Sequence, residues 1–163
     1  MERERVTVEE FLRRYAAGER DFHRIILEYA DLSGAELQGI NLHGAQFNYV
    51  NLSGIKLRSC ILKAQFIYCN FRDALIESCN LEWAWFYDCD LRSANTRVCD
   101  LTSTHFIRVN LQGAKLRGFG EDPCKYWDVI RHDGVFVPGF TFDLYIAERI
   151  AESKTKGDGE LDF

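Results

Sequence analysis

Large apolar residues recur along this chain at a fixed step of five. From Phe22 they fall at Leu27, Leu32, Leu37, Leu42, Phe47, Leu52, Leu57 and Leu62. One residue is then missing, and the series resumes at Phe66. It continues through Phe71, Ile76, Leu81, Phe86, Leu91, Thr96, Leu101, Phe106, Leu111 and Leu116. These are twenty quintets with nineteen apolar centres, Thr96 being the exception. A helix does not match this step, because five residues overshoot one turn of about 3.6. A flat strand does not match it either, because an odd step sends successive side chains to opposite faces. The period predicts a chain that turns a corner once per repeat.

Two residues before each centre sits a small or apolar group, as at Ala30, Ala35, Ala45, Val50, Cys60, Cys69, Cys79, Cys89 and Cys99. The residue between them is usually polar: Asp31, Glu36, Asn41, Gln46, Asn51, Asn70, Asn80, Asp90, Asp100, Asn110. Two turn-type residues follow, such as Ser33-Gly34 or Gln112-Gly113. The unit is small-in, polar-out, large-in, then a corner.

This unit resembles the A-(D/N)-L-x-x repeat of the largely bacterial pentapeptide-repeat family, over residues 20–118. The resemblance implies an all-β solenoid, a right-handed quadrilateral β-helix with one quintet per side and four per coil. The sequence tests that coil on its own terms. Every fourth centre should stack, and one such column reads Leu27, Phe47, Phe66, Phe86, Phe106. Four phenylalanines meet in one column across the missing residue, which supports both the coil and the place of the deletion. About five coils at about 4.8 Å each make a tube roughly 25 Å long, stabilised by neighbour-on-neighbour burial and in need of end caps.

The flanks supply cap candidates. In residues 1–19, "TVEEFLRRYAAGER" reads as a helix opened by a Thr7/Glu10 capping box and stopped at Gly18, with Val8, Phe11, Leu12 and Tyr15 on one face. The repeat body is expected over 20–119. Residues 120–163 read as a hairpin around Asp133-Gly134, an amphipathic helix over 141–153 with Phe142, Tyr145, Ile146 and Ile150 inward, and a mobile tail.

Charge narrows the partner class. The net charge is −5 over 163 residues, yet residues 20–119 hold 10 acids and 11 bases, so the acidity belongs to the C-terminal segment. A near-neutral body argues against nucleic acid as a partner. Arg58, Arg97 and Arg117 in one outward column, and Arg72 and Arg92 in another, read as a solvated face. The charged N-terminus has no signal-peptide core, and no apolar run is long enough to span a membrane. A cytoplasmic location is expected.

Catalytic chemistry finds no foothold. No nucleophile elbow, P-loop, paired-carboxylate or zinc-ligand spacing is present, and no cofactor or metal is expected. The columns Cys60-Cys79-Cys99 and Cys69-Cys89 read as small buried hydrophobes, and Cys124 lies outside the repeat. His23 and His43 are equivalent outward positions, read as solvent-facing rather than as a metal pair.

One side of the tube is unusual. Outside the phenylalanine column lie Tyr29, Tyr49, Ile67, Tyr68, Trp85, Tyr87, His105 and Ile107, with Trp83 near the corner, where other sides carry Ser, Arg, Glu, Lys and Gly. An apolar stripe on a soluble tube marks either an interface or a surface that the chain covers itself. The expected function is a non-enzymatic protein-interaction scaffold with an unidentified protein partner, as a monomer or a weak dimer. The rival expectation comes from the resemblance: some family members mimic DNA and bind a topoisomerase, gyrase. The near-neutral body opposes it, because such mimicry needs a strongly negative tube.

Overall fold

The fold was read from a computed structural model, which describes residues 2–120 and 122–142. Strand β1 (Glu4–Val6) and helix α1 (Val8–Ala16) precede β2 (Ile25–Glu28), β3 (Glu36–Gln38), β4 (Gln46–Asn48) and β5 (Lys56–Arg58). Next come β6 (Gln65–Ile67), β7 (Leu75–Glu77), β8 (Trp85–Tyr87) and β9 (Asn95–Asp100). Last are β10 (His105–Ile107), β11 (Lys115–Phe119), β12 (Lys125–Ile130) and β13 (Phe136–Thr141). Alternate strands join into two sheets, ordered β1-β2-β4-β6-β8-β10-β12-β13 and β3-β5-β7-β9-β11. The other two sides carry single parallel bridges, from Asp21↔Asn41 to Asn80↔Asp100 and from Asp31↔Asn51 to Asn110↔Ile130. The chain is a four-sided β-solenoid.

The predicted column is present. Phe47 pairs with Phe66, Phe66 with Phe86, and Phe86 with Phe106. All four are at most 2% exposed. The deletion falls between Ile61, twenty residues after its partner Asn41, and Gln65, nineteen after Gln46. There the corner tightens: the Ala64 N–H donates to the Leu62 carbonyl two residues back (2.8 Å), while Ala45 reaches three back to Leu42 (2.9 Å).

Two local devices explain why five residues turn one corner. From Phe22 to Leu111, except after Leu62 at the deletion, the second residue after each centre adopts positive φ, whether glycine (Gly34, +68°) or not (Ser59, 52°; Asp73, 58°; Trp83, 59°). On the bridged sides it occupies the third position of a turn closed by a bond such as Ala74 N–H to Phe71 carbonyl (3.0 Å), the geometry of a type II turn. On these sides the Asp or Asn before the centre accepts the N–H two residues on: Ser33 to Asp31 (2.9 Å), His43 to Asn41 (3.0 Å), Arg72 to Asn70 (3.0 Å). These Asx turns satisfy a corner amide that would otherwise lack a partner. The (D/N) preference therefore belongs to alternate quintets; on the sheet sides Asn95 is the one such residue from Ile26 to Lys115.

Thr96, the exceptional centre, has a specific task. Between Leu116 and Gly118 the β11–β9 register slips. Residue 117 sits at that bulge, and Thr96 Oγ1 accepts its N–H (2.7 Å) and donates to its carbonyl (3.0 Å). Replacing Thr96 by Val adds apolar surface to an apolar column but strands both groups. Losing two hydrogen bonds at about 0.5–1.5 kcal/mol each outweighs what a methyl group gains. We expect Thr96→Val to lower the thermal midpoint; an unchanged or higher midpoint would show the hydroxyl to be dispensable.

Three sequence expectations need correction. The stack does not end at residue 119: β12 pairs in parallel with β10, Tyr126 stacks on Phe106 (5.3 Å), and the first sheet has six solenoid rungs from β2 to β12. The step of five resumes at Tyr126 and Arg131, hidden by the arginine at a centre position. Arg131 is 5% exposed and bonds Asp133 in the hairpin turn. Cys124 accordingly lies within the repeat, two residues before the Tyr126 centre. Thr141, expected to open a helix, is the last residue of β13, which runs antiparallel to β12; residues 143–163 lie outside the described ones.

At the N-terminal end, β1 adds a parallel rung to β2 and α1 lies over the first coil. Thr7 accepts the Glu10 N–H (3.2 Å), and the fully buried Phe11 ring meets Phe22 at 4.5 Å. Leu12, grouped with the buried face from sequence, is 40% exposed. The six cysteines are free, and burial pushes the thiols of Cys89, Cys99 and Cys124 up.

Candidate interaction surface

Each rung of the first sheet presents three outward positions: one before the centre, one after it, and the corner residue. The corner column reads Tyr29, Tyr49, Tyr68, Asp88, Arg108, Asp128. The three tyrosines are 78%, 50% and 50% exposed, and their rings stack at 5.1 Å and 4.9 Å within 9° of parallel. Below them Arg108 bonds Asp88 through two nitrogens, both at 2.7 Å, which raises the guanidinium pKa. Asp128 accepts the Gly139 N–H from β13 (2.7 Å). The stripe expected from sequence thus has two parts, a tyrosine corner on the early rungs and an aromatic cluster on the later ones.

The cluster is built around β8, β10 and β12. Trp85 lies flat on His105, centroids 3.7 Å apart and planes within 11°. Tyr87 stacks on Trp85 at 5.5 Å, and Trp127 approaches His105 at 6.3 Å. Phe140 of β13 packs on Trp127 (4.4 Å), and Phe142 meets Phe140 edge-on (4.5 Å). Trp83, at a positive-φ corner, is half exposed beneath the Lys125 ammonium, 5.0 Å from its centroid.

Tyr29, Tyr49 and Tyr68 are therefore exposed, while Ile67, Trp85, Tyr87 and Ile107 are half-buried. His105 is buried and presents no contact surface. Its neighbours Trp85 and Trp127 roof it over, an arrangement that an outward register position alone does not reveal. Sequence reasoning passed over Trp127 and Phe140; the signal was the twenty-residue spacing from Ile107 to Trp127.

Charges elsewhere pair across coils: Lys56 with Glu36 (2.5 Å), Arg58 with Glu77 (3.3 Å) and Lys63 with Glu82. Glu77 thereby neutralises part of the arginine column. His23 bonds Asp21 (2.9 Å) and lines a shallow depression with His43, Arg3 and Arg24. Among the described residues no cluster of three metal-ligating side chains occurs, and no helix is long and apolar enough to cross a membrane.

Comparison with known proteins starts from the repeat. The family model for the pentapeptide repeat region matches residues 40–116. The pentapeptide repeat protein alr5209 from Nostoc PCC 7120 is 30% identical, over 61% of this chain and 84% of that one (TM-score 0.33). The chain belongs to the pentapeptide-repeat family. Other similar structures are a pentapeptide repeat protein of the Arabidopsis thaliana thylakoid lumen and QnrB1, a plasmid-mediated fluoroquinolone resistance protein. The first is 20% identical over 54% of this chain and 69% of that one (TM-score 0.36). Full-length QnrB1 is 15% identical over 93% and 94% (TM-score 0.26). No curated protein sequence matches the chain.

Proposed function

We propose that this pentapeptide-repeat protein is a non-enzymatic interaction module of the cytoplasm, docking a protein partner on the tyrosine corner and the adjoining Ile67–Tyr87–Ile107 column. One observation carries the reading. Positive φ is an uncommon conformation for a bulky side chain, yet this corner column places Tyr there on three consecutive rungs (φ 50°, 55°, 53°). In the other three corner columns bulky residues occur only singly, at Arg24, Trp83 and Val98, never on consecutive rungs, among glycine, serine and aspartate. Backbone strain repeated to display large amphipathic rings, without burying them, points to recognition. Tyrosine is enriched at interface hot spots because it brings contact area at low entropic cost.

The topoisomerase-mimic reading draws no support from the surface. Glu36, Glu77, Glu82 and Asp88 each pair with a base on an adjacent coil, which breaks up the acidic surface.

The test uses Tyr49→Ser with Tyr68→Ser, since serine already occupies equivalent corners at Ser59 and Ser78. The double variant should keep the thermal midpoint within a few degrees. It should lose roughly tenfold or more in affinity for whatever protein the native chain captures from its own cells, a hot-spot residue being worth about 2 kcal/mol. Equal capture by both chains refutes the assignment of this surface.

A further inference from the structure

His105 is the ionisable side chain of the outer sheet face that the fold encloses. It is 5% exposed, lies flat on Trp85, and its Nδ1 is buried without a hydrogen-bond partner. An imidazolium there would carry a second N–H donor into a site where Nδ1 has no hydrogen-bond partner, and burying a charge with so few partners is costly. We propose that His105 is an acid-sensitive latch: protonating its imidazole loosens the aromatic layer of Trp85, His105, Trp127 and Phe140 that holds the C-terminal hairpin against the tube.

The surroundings set the sign. From β12 the charged group facing the ring is Lys125, and a second cation there repels an imidazolium. The faces from β8 and the corner before it are Trp85 and Trp83, with Tyr87 stacked beyond Trp85. Strand β13, residues 136–141, contains no titratable side chain. Among the described residues no carboxylate is hydrogen-bonded to the ring. Stacking on Trp85 favours the cation, and the Ser103 carbonyl does too; burial and Lys125 oppose both. Burial first, then Lys125, hold the imidazole below its ordinary value of 6.5. The folded state thus binds the proton less readily than the unfolded chain. The stability this group contributes is present above about 6.5 and is lost as the pH falls through the folded value.

The link to the hairpin is direct. Trp127 joins the His105 cluster to Phe140, and β13 is the edge strand of the first sheet. Loosening the ring stack therefore acts first on β13, while the phenylalanine column stays enclosed.

The experiment is a pH titration of the full chain. Imidazole resonances are followed by NMR, alongside tryptophan emission and its quenching by acrylamide. The latch predicts that His105 titrates below 6.5, and that at the same midpoint the emission shifts to the red and quenching increases. His105→Gln, which cannot titrate, should lose that step. Lys125→Met, which removes the repelling charge, should move the midpoint upward. Should His105→Gln fail to fold, the wild-type resonance and Lys125→Met still decide. A His105 midpoint at or above 6.5, a tryptophan step that persists in His105→Gln, or a midpoint unmoved in Lys125→Met overturns the proposal.

Discussion

Replacing Phe86 by alanine is expected to cost about 3–5 kcal/mol, the usual range for a buried Phe→Ala change. Phe86 is 1% exposed and touches three rings: Phe66 at 5.0 Å, Phe106 at 5.2 Å and Phe71 edge-on at 5.5 Å. Its loss leaves a void with partners missing above and below. The corner backbone on both sides is pinned by inter-coil bonds, such as Tyr68 N–H to Tyr87 carbonyl (2.9 Å), so collapse is limited. A solenoid holds together through nearest-neighbour interfaces, and this substitution weakens two at once. Since folded domains are stable by only about 5–15 kcal/mol, much of the margin would go. Urea unfolding followed by tryptophan emission gives the number. Phe86→Leu, which keeps most of the volume, should cost less than half as much. A loss under about 1.5 kcal/mol for the alanine variant would mean that the column is not the main source of cohesion.

The same column shows why so much of the fold was legible. A period of five with a deletion leaves few registers, and only a four-quintet coil brings Phe47, Phe66, Phe86 and Phe106 together. The corners were less transparent. Aspartate and asparagine before the centres looked like generic polar residues, because the distinction between sheet sides and bridged sides appears only as a ten-residue alternation. Positive φ at Tyr29 or Trp83 leaves no trace in residue type, since glycine is the usual marker of that conformation. The sixth rung was hidden for a different reason. Arg131 occupies a centre, and a buried arginine defeats a search for apolar residues; Asp133 makes it tolerable by hydrogen-bonding the guanidinium. In the candidate surface, the register placed Tyr49, Trp85 and His105 in their outward columns. Burial of His105 was not legible, because it depends on ring orientations at Trp85 and Trp127 and on a hairpin that lies beyond the last legible repeat.

Gly118→Ala is expected to open the C-terminal end of the second sheet. A Cβ built at Gly118 would lie 2.3 Å from the Cys99 carbonyl oxygen and 2.9 Å from Leu101 Cδ1. The first neighbour is backbone in an adjacent strand, so no rotamer change relieves it. Here β11 leaves the corner geometry and runs straight along β9, pairing Gly118 with Cys99 and Phe119 with Asp100. The close approach that allows this requires the absence of a side chain. With alanine, β11 must move away from β9 after Leu116, and the bond from the Leu101 N–H to the Phe119 carbonyl (2.8 Å) is lost with it. Inserting one carbon into a tight site costs about 1–3 kcal/mol, and a backbone clash puts this case at the upper end. Amide exchange should therefore accelerate at Leu101, while the Phe47–Phe66 rungs keep their protection, since each coil is held by its neighbours. Unchanged exchange at Leu101 together with an unchanged midpoint would mean that β11 does not approach β9 this closely.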